Sequence, residues 1–321
     1  MTRTLPRQRP RQGRPAAASC ASPFDVQVYL DRRGFSPGAI DGQAGENLHR
    51  ALAAFTGAMQ TAEQEEASNA RGRQSSRAAV RLDCTTFATL RAGLGPSTTS
   101  YSVSDADAAG PFATIPDDLM QQAGLPALAY QSIEERLAER FHTVPEALRR
   151  LNPHASFVAG ETLIVPNVTP FDPASGPRPP AVAAGARRIE VAREEGWLRV
   201  FADDGALLFH APVSSGSTHD PLPLGDWRLT SVAWMPAFHY NPELFWDAEA
   251  SHAKATIKPG PNGPVGVAWL GINVEHYGIH GTAHPERVGH TESHGCVRLT
   301  NWDVAQLMTL VKRGTPVVFH E

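Results

Sequence analysis

The chain has 321 residues, a length typical of two or three domains rather than one. Its formal net charge is −4 and 41% of its residues are hydrophobic, which predicts ordinary globular cores and argues against a strongly basic nucleic-acid-binding protein. No stretch approaches the roughly 20 consecutive apolar residues of a membrane-spanning helix, so no transmembrane segment is predicted.

Residues 1–23 are basic and rich in Arg, Pro and Ala, and they lack the apolar segment of a secretory signal. They predict a disordered or processed tail. Residues 17–20 (AASC) faintly resemble a lipoprotein cleavage box, so lipidation of Cys20 stays open beside its pairing with Cys84. Together with Cys296 the cysteine count is odd, which leaves at least one thiol free or bonded to another molecule.

Residues 24–97 predict a small helical domain. Leu48, Leu52 and Phe55 recur at the spacing of one helix face. The polar run over residues 60–76 predicts a solvated loop. The order QVYLDRRGFSPGAIDGQAGENLHRALAAF, followed by RLDCTTFATLRAG, resembles the three-helix peptidoglycan-binding domain. The resemblance implies binding to glycan strands, and a plain helical spacer is the alternative.

Residues 101–168 predict a second small unit, followed by a Pro-, Ala- and Gly-rich linker over residues 169–187. The segment SIEERLAERFHTVPEALRRLNPHASFVAGETLIVP resembles a LysM module, a βααβ unit, with its opening strand displaced to residues 101–103. The resemblance implies binding of glycans that contain N-acetylglucosamine.

Residues 188–321 predict a mainly β domain, a β-sandwich with one late helix. Thr300 is expected to cap that helix, and Val304 and Leu307 lie on its apolar face. The strand candidates are residues 189–191, 197–201, 207–209, 227–234, 265–274 and 316–319.

His280 and Cys296 are the candidate catalytic pair. A thiolate is the nucleophilic form of cysteine, so a catalytic cysteine needs a nearby imidazole that leaves the sulfur charged. Each residue lies at the end of a short strand-like run, and adjacent strand ends can bring the two side chains together. Gly295 would let backbone N–H groups converge into an oxyanion hole for acyl transfer.

The stretch GIHGT, followed by SHGCVRLTNWD, resembles the signature of the L,D-transpeptidase catalytic domain. Similar patterns upstream, in SSGSTHDPLPLGDW, FHYNPELFW and KPGPNGPVGVAW, extend the resemblance over residues 188–321. It implies that Cys296 is the nucleophile, His280 the proton acceptor and donor, His294 a supporting residue and Gly295 part of the oxyanion hole.

The resemblance also suggests residues that bind substrate. Arg298 offers a fork of donors for a carboxylate, and Tyr277 and Ser293 are the other candidates. The implied reaction is a two-step acyl transfer on peptidoglycan stem peptides, in which the donor loses its terminal D-alanine and forms a 3→3 cross-link. A wall-attached lipoprotein is an alternative acceptor, and the family is acylated by carbapenems.

Several alternatives stay open. Cys296 could be a buried structural residue, or water could replace the acceptor and make the chain an L,D-carboxypeptidase. The chain could also be a non-catalytic peptidoglycan-binding protein. Neighbouring histidines could join Cys296 in a zinc site, but they lack a helical ligand pair, so no metal or other cofactor is predicted. These histidines are His276, His280, His284, His290 and His294.

The resemblance also sets expectations about compartment and assembly. Peptidoglycan lies outside the cytoplasmic membrane, and the form of the motif resembles members from Gram-negative bacteria. The expected location is therefore the periplasm or cell envelope. The chain is expected to act as a monomer, with glycan strands and stem peptides as partners and no nucleic acid.

Overall fold

The structure is a computed structural model that describes residues 20–67, 83–177, 188–293 and 295–321. The described α-helices are α1 (Pro23–Arg32), α2 (Glu46–Ala67), α3 (Cys84–Arg91), α4 (Asp105–Ala108), α5 (Leu119–Ala123), α6 (Ile133–Arg140), α7 (Pro145–Leu151) and α8 (Asn301–Leu310). Within these ranges, no helix combines the length and the apolar character needed to cross a membrane.

The described strands follow in chain order. They are β1 (Thr98–Ser102), β2 (Thr162–Pro166), β3 (Arg188–Ala192), β4 (Trp197–Phe201), β5 (Leu207–Pro212), β6 (Ser214–Ser215), β7 (Gly225–Trp234), β8 (Phe238–Tyr240), β9 (Ala255–Ile257), β10 (Ala268–Ile272), β11 (Gly278–His280), β12 (Val297–Arg298) and β13 (Pro316–His320).

Helices α1, α2 and α3 pack around one apolar core. Leu48, Leu52 and Phe55 are buried in it, as their spacing predicts. A disulfide joins Cys20 to Cys84 and so ties the start of α1 to the start of α3. Because the Cys20 sulfur is used in this bond, the lipidation suggested by residues 17–20 is not compatible with the described structure.

The loop predicted over residues 60–76 is partly wrong. Helix α2 continues to Ala67, and residues 68–82 lie outside the described part of the chain. The reason is composition: residues 60–67 (QTAEQEEA) are mostly Ala, Gln and Glu, which favour a helix even when no face of it is apolar.

Residues 98–166 form a second unit in which β1 and β2 pair antiparallel around helices α6 and α7. Tyr101 lies opposite Leu163, so the displaced opening strand is present. Asn152, at the end of α7, donates to the Ile164 carbonyl at 2.8 Å and accepts from the Ile164 N–H at 2.7 Å. The Asn152 side chain therefore links the end of α7 to the backbone of β2.

Helix α1 belongs to both small cores. Leu30 faces the core of α2 and α3, whereas Val28 packs with Ile40 into the core of the second unit, beside Leu137. Because one helix buries residues on two sides, the two units that the sequence predicts as separate domains share an element.

The carboxyl-terminal domain is built on one mixed sheet with the described strand order β5-β4-β3-β13-β7-β10-β11-β12-β6. The prediction of a mainly β domain with a late helix is confirmed, and Thr300 caps α8 by accepting from the Asp303 N–H at 3.1 Å. Strand β7 pairs with β13 through its first half and with β10 through its second. Strands that a sandwich would divide between two sheets are therefore hydrogen-bonded into one.

The first helical unit is attached to this sheet. The Ser36 N–H donates to the His210 carbonyl at 2.8 Å, and the His210 N–H donates to the Gly34 carbonyl at 2.9 Å. The Asn47 side chain donates to the Val288 carbonyl at 2.8 Å. The unit thus lies along the edge strand β5 and also contacts the loop between β11 and β12.

The first part of the predicted linker is also packed. Phe171 is buried in the core of the carboxyl-terminal domain, and its N–H donates to the Arg140 carbonyl at 2.8 Å. The Trp234 indole donates to the Pro173 carbonyl at 3.2 Å. Burial of the Phe171 side chain and these hydrogen bonds favour the packing of residues 169–177 against the domain. Residues 178–187 lie outside the described part of the chain.

Candidate active site

Strands β11 and β12 bring the predicted catalytic residues together. They pair in parallel, with His280 opposite Arg298, and Cys296 immediately precedes β12. Residues paired across neighbouring strands share one face of a sheet, so His280 and Arg298 lie on the same face, and Cys296 lies two residues before Arg298.

His280 is buried and held in one tautomer. Its Nδ1 lies 2.6 Å from the Gly281 carbonyl oxygen, which can only accept, so Nδ1 carries the proton and Nε2 keeps its lone pair. Trp269 stacks on the ring, with centroids 5.7 Å apart. Burial and the nearby charge of Arg298 lower the pKa of His280 to about 3, so the imidazole is neutral.

Cys296 is the free cysteine of the described chain and is half-buried. Its Sγ donates to the His276 carbonyl at 3.6 Å. Burial raises the pKa of the thiol, against the opposing effects of a Gly278 backbone hydrogen bond and Arg298. Burial therefore favours the uncharged form of both groups, a neutral thiol and a neutral imidazole, whereas the sequence predicts a charged sulfur.

Gly295 has the backbone conformation that only glycine adopts readily, with φ at +92°. A Cβ at this position would lie 2.5 Å from Cε1 of Tyr277. The half-buried Tyr277 ring thus packs directly on the residue before the thiol, and burial raises the pKa of its hydroxyl. Tyr277, which the sequence assigns to substrate binding, therefore packs against the backbone at Gly295 and Cys296, here called the Cys296 loop.

Ser293 is placed differently from its prediction as a substrate contact. It is buried, and its hydroxyl donates to the Cys296 carbonyl at 2.5 Å while accepting from the Gly216 N–H at 2.8 Å. Because the hydroxyl both donates and accepts a hydrogen bond within the protein, Ser293 supports the backbone around Cys296 rather than facing substrate. His294 lies outside the described residues.

Arg298 is half-buried beside the thiol and the imidazole. Burial lowers the pKa of its guanidinium, as does the nearby charge of Arg287, whereas an ionised Cys296 would raise it. The guanidinium stays cationic because its ordinary pKa is so high, and it therefore provides a positive charge next to the reacting sulfur.

Comparison with known proteins identifies the domain that carries this site. Residues 186–319 match the family model of the L,D-transpeptidase catalytic domain, YkuD. These residues form an L,D-transpeptidase catalytic domain.

Similar proteins carry the same family name. "Putative L,D-transpeptidase YkuD" of Bacillus licheniformis is 26% identical over 186 residues, covering 57% of this chain and 90% of that protein. "Probable L,D-transpeptidase YbiS" of Escherichia coli is 37% identical over 92 residues, 29% of each chain. The Bacillus alignment is longer than the L,D-transpeptidase domain, so it reaches upstream of residue 186.

Solved structures are similar over part of their length. An L,D-transpeptidase from Mycobacterium smegmatis has a TM-score of 0.36 at 18% identity, over 43% of this chain and 60% of that one. L,D-transpeptidase 3 from Mycobacterium tuberculosis, in complex with a faropenem-derived adduct, has a TM-score of 0.36 at 15% identity, over 51% of this chain and 75% of that one. The chain therefore spans three fifths of the first of these relatives.

The L,D-transpeptidase domain contains site residues that sequence reasoning missed. Trp269 stacks on His280, and a Cβ on Gly278 would lie 2.5 Å from its ring. The two-residue alternation of β10 could have placed Trp269 on the face of the site. Asn301 is buried at the start of α8 and accepts from the Val267 N–H at 3.1 Å, a long-range contact that no local pattern indicates.

The zinc site weighed from the sequence has no counterpart among the described residues around Cys296. The described group that could surround a cation is Asp118, Glu249 and His252, on helix α5's cap and the β8–β9 hairpin. There His252 Nε2 lies 3.0 Å from Asp118 Oδ2, and its Nδ1 lies 2.8 Å from the Tyr240 hydroxyl. Hydrogen bonds to Asp118 and Tyr240 account for the position of the His252 ring.

Replacing Gly295 by alanine should disturb the Cys296 loop more than an equally strained glycine elsewhere. Gly314 has nearly the same φ, +89°, but no atom lies within 4 Å of the place a Cβ would take, so Gly314→Ala measures the backbone cost alone, about 1 kcal/mol. Gly295→Ala adds the collision with Tyr277, and we expect a larger loss in urea unfolding. Equal losses for the two variants would contradict the packing described here.

Proposed function

We propose that the chain is a peptidoglycan L,D-transpeptidase that uses Cys296 as its nucleophile and His280 as its general base. The observation that carries this proposal is the Nδ1–H bond from His280 to the Gly281 carbonyl. It fixes the tautomer in which Nε2 is the basic nitrogen, and Cys296 immediately precedes the strand that pairs with the strand of His280.

In the first step Nε2 of His280 takes the proton from Cys296 as the sulfur attacks the carbonyl after the third residue of a donor tetrapeptide. Main-chain N–H groups around Gly295 stabilise the oxyanion that forms. The carbon–nitrogen bond to the terminal D-alanine then breaks, and His280 returns the proton to the leaving amine. The product is a thioester on Cys296.

In the second step an acceptor amine attacks the thioester, loses its proton to His280 and regenerates the thiol. A stem-peptide amine gives a 3→3 cross-link, and an amine of a wall-attached lipoprotein gives an attached protein. Water gives an L,D-carboxypeptidase. Arg298 supplies the positive charge that would hold a substrate carboxylate beside the sulfur.

The two amino-terminal units are proposed to bind glycan strands and to hold the catalytic domain at the wall. The Cys20–Cys84 disulfide supports a location in an oxidising compartment, because such bonds persist outside the cytosol. We therefore propose the periplasm of a Gram-negative bacterium. The attachment of the first unit to β5 supports a single rigid particle rather than tethered modules.

The test is product analysis with purified disaccharide-tetrapeptides. Wild-type protein should release D-alanine and form dimers with the mass of a 3→3 cross-link, whereas Cys296→Ala should release none. Tripeptide monomers without dimers would favour the carboxypeptidase. If the wild type and Cys296→Ala are equally silent while both bind glycan, the chain is the non-catalytic wall-binding protein.

A further inference from the structure

A buried polar contact joins the second small unit to the catalytic domain. Glu139 of α6 is buried, and its Oε1 accepts a hydrogen bond from Asn301 Nδ2 at 2.6 Å. The same Nδ2 donates to the Pro261 carbonyl at 3.0 Å, so both protons of the Asn301 amide are used. Burial raises the pKa of Glu139 to about 7, against hydrogen bonds from Tyr130 and Asn301.

The other end of the Asn301 amide lies against the backbone that holds the base. Its Oδ1 accepts from the Val267 N–H at 3.1 Å. A Cβ on Gly281 would lie 2.2 Å from this oxygen, and one on Gly266 would lie 2.1 Å from it. The Gly281 carbonyl is the acceptor that fixes the His280 ring. A continuous series of contacts therefore runs from α6 to the imidazole.

The orientation of the Asn301 amide is what this series depends on. A flipped amide would turn an N–H toward the Val267 N–H and leave Glu139 facing an oxygen, two unfavourable contacts inside a buried site. Glu139 supplies the acceptor that excludes the flip. It does so from outside the L,D-transpeptidase domain, since α6 belongs to the second small unit.

We propose that Glu139 is a positioning residue of the active site, and that the LysM-like unit thereby completes the catalytic domain in addition to any binding of glycan. It holds the Asn301 amide against the Gly281 peptide, which in turn holds His280 with Nε2 toward the sulfur. This proposal rests on the proposed function for its kinetic readout, because kcat has meaning only if His280 is the base. Its structural readout does not depend on activity.

The test uses the full-length protein and distinguishes the effect of side-chain length at position 139 from the effect of its charge. Glu139→Gln keeps an acceptor at the same distance without the charge, and it should keep kcat within about twofold of the wild type. Glu139→Asp keeps the charge but withdraws the carboxylate, and Glu139→Leu removes the acceptor. Both should lower kcat about tenfold or more with KM nearly unchanged, the effect expected of a misplaced catalytic group.

The matched control is Glu134→Ala on the same helix. Glu134 is partly exposed and pairs with Arg149 at 3.3 Å, away from Asn301, so its loss should leave kcat unchanged. If Glu139→Leu does not fold, the comparison of Glu139→Gln with Glu139→Asp still tests the proposal. The proposal would be overturned if Glu139→Asp had the same kcat as the wild type. It would also be overturned if Glu139→Gln and Glu139→Asp lowered kcat equally.

The structural readout is the NMR signal of the His280 Nδ1 proton, assigned by its absence from His280→Ala. Its exchange with water should be at least about tenfold faster in Glu139→Asp than in the wild type, and unchanged in Glu139→Gln. An identical exchange rate in all variants would refute the proposal even if the protein turned over no peptide. If the wild type releases no D-alanine but the Nδ1 proton exchanges faster in Glu139→Asp, the proposed function is refuted. The role of Glu139 in positioning His280 would still be supported.

Discussion

Replacing His280 by alanine should lower kcat for D-alanine release by about 10²- to 10⁴-fold, the contribution typical of a positioned general base. The loss is expected to be large because the neutral thiol of Cys296, whose pKa is raised by burial, depends on a base during the attack. Initial rates with disaccharide-tetrapeptide at saturating concentration measure it.

The matched control is His284→Ala. His284 lies four residues downstream, is exposed and contacts Glu286, so its removal should leave kcat within about twofold. A small effect of His280→Ala, or similar losses for the two variants, would contradict the role of His280. Thermal unfolding of each variant separates loss of the base from loss of the fold.

The second large effect concerns pH. A base works only when unprotonated, and the pKa of His280 is lowered from 6.5 to about 3. As pH falls, the neutral imidazole should therefore persist until about pH 4, and kcat/KM should stay nearly flat from pH 7 to pH 5. A histidine with the ordinary pKa of 6.5 would lower kcat/KM about 25-fold over that range.

Alkylation of Cys296 by iodoacetamide gives the complementary measurement, because it reports the thiolate alone. Since burial raises the pKa of Cys296 above 9.0, the alkylation rate should still be rising at pH 9. Cys20 and Cys84 are paired, so the reaction reports one thiol. An acid limb of kcat/KM near pH 6.5 would indicate an imidazole with its ordinary pKa, and alkylation that levels off below pH 7 would indicate a resting thiolate. Either result would contradict this account.

Local patterns predicted much of this molecule. The apolar spacing of Leu48, Leu52 and Phe55 marked a buried helix face, and the Thr300 cap marked the start of α8. His280 and Cys296 lie sixteen residues apart, yet both flank short strands that pair in parallel. This pairing places His280 opposite Arg298, two residues after Cys296.

The parts that were not predictable depend on contacts between distant segments. Glu139 and Asn301 are 162 positions apart, and neither shows its partner in its own surroundings. The neutral state of the catalytic pair depends on how deeply it is buried, which strand patterns do not give. Helix α1 packs into two cores because opposite sides of it are apolar, and the linker before residue 178 is anchored by Phe171.

The proposed mechanism requires that the sulfur of Cys296 forms a covalent acyl-enzyme. Incubation with a carbapenem, followed by intact mass measurement and peptide mapping, shows whether this intermediate forms. We predict one adduct per chain, located on the peptide that contains Cys296, formed by the wild type and absent from Cys296→Ala. An unmodified wild-type protein, or an adduct that persists in Cys296→Ala, would contradict the account.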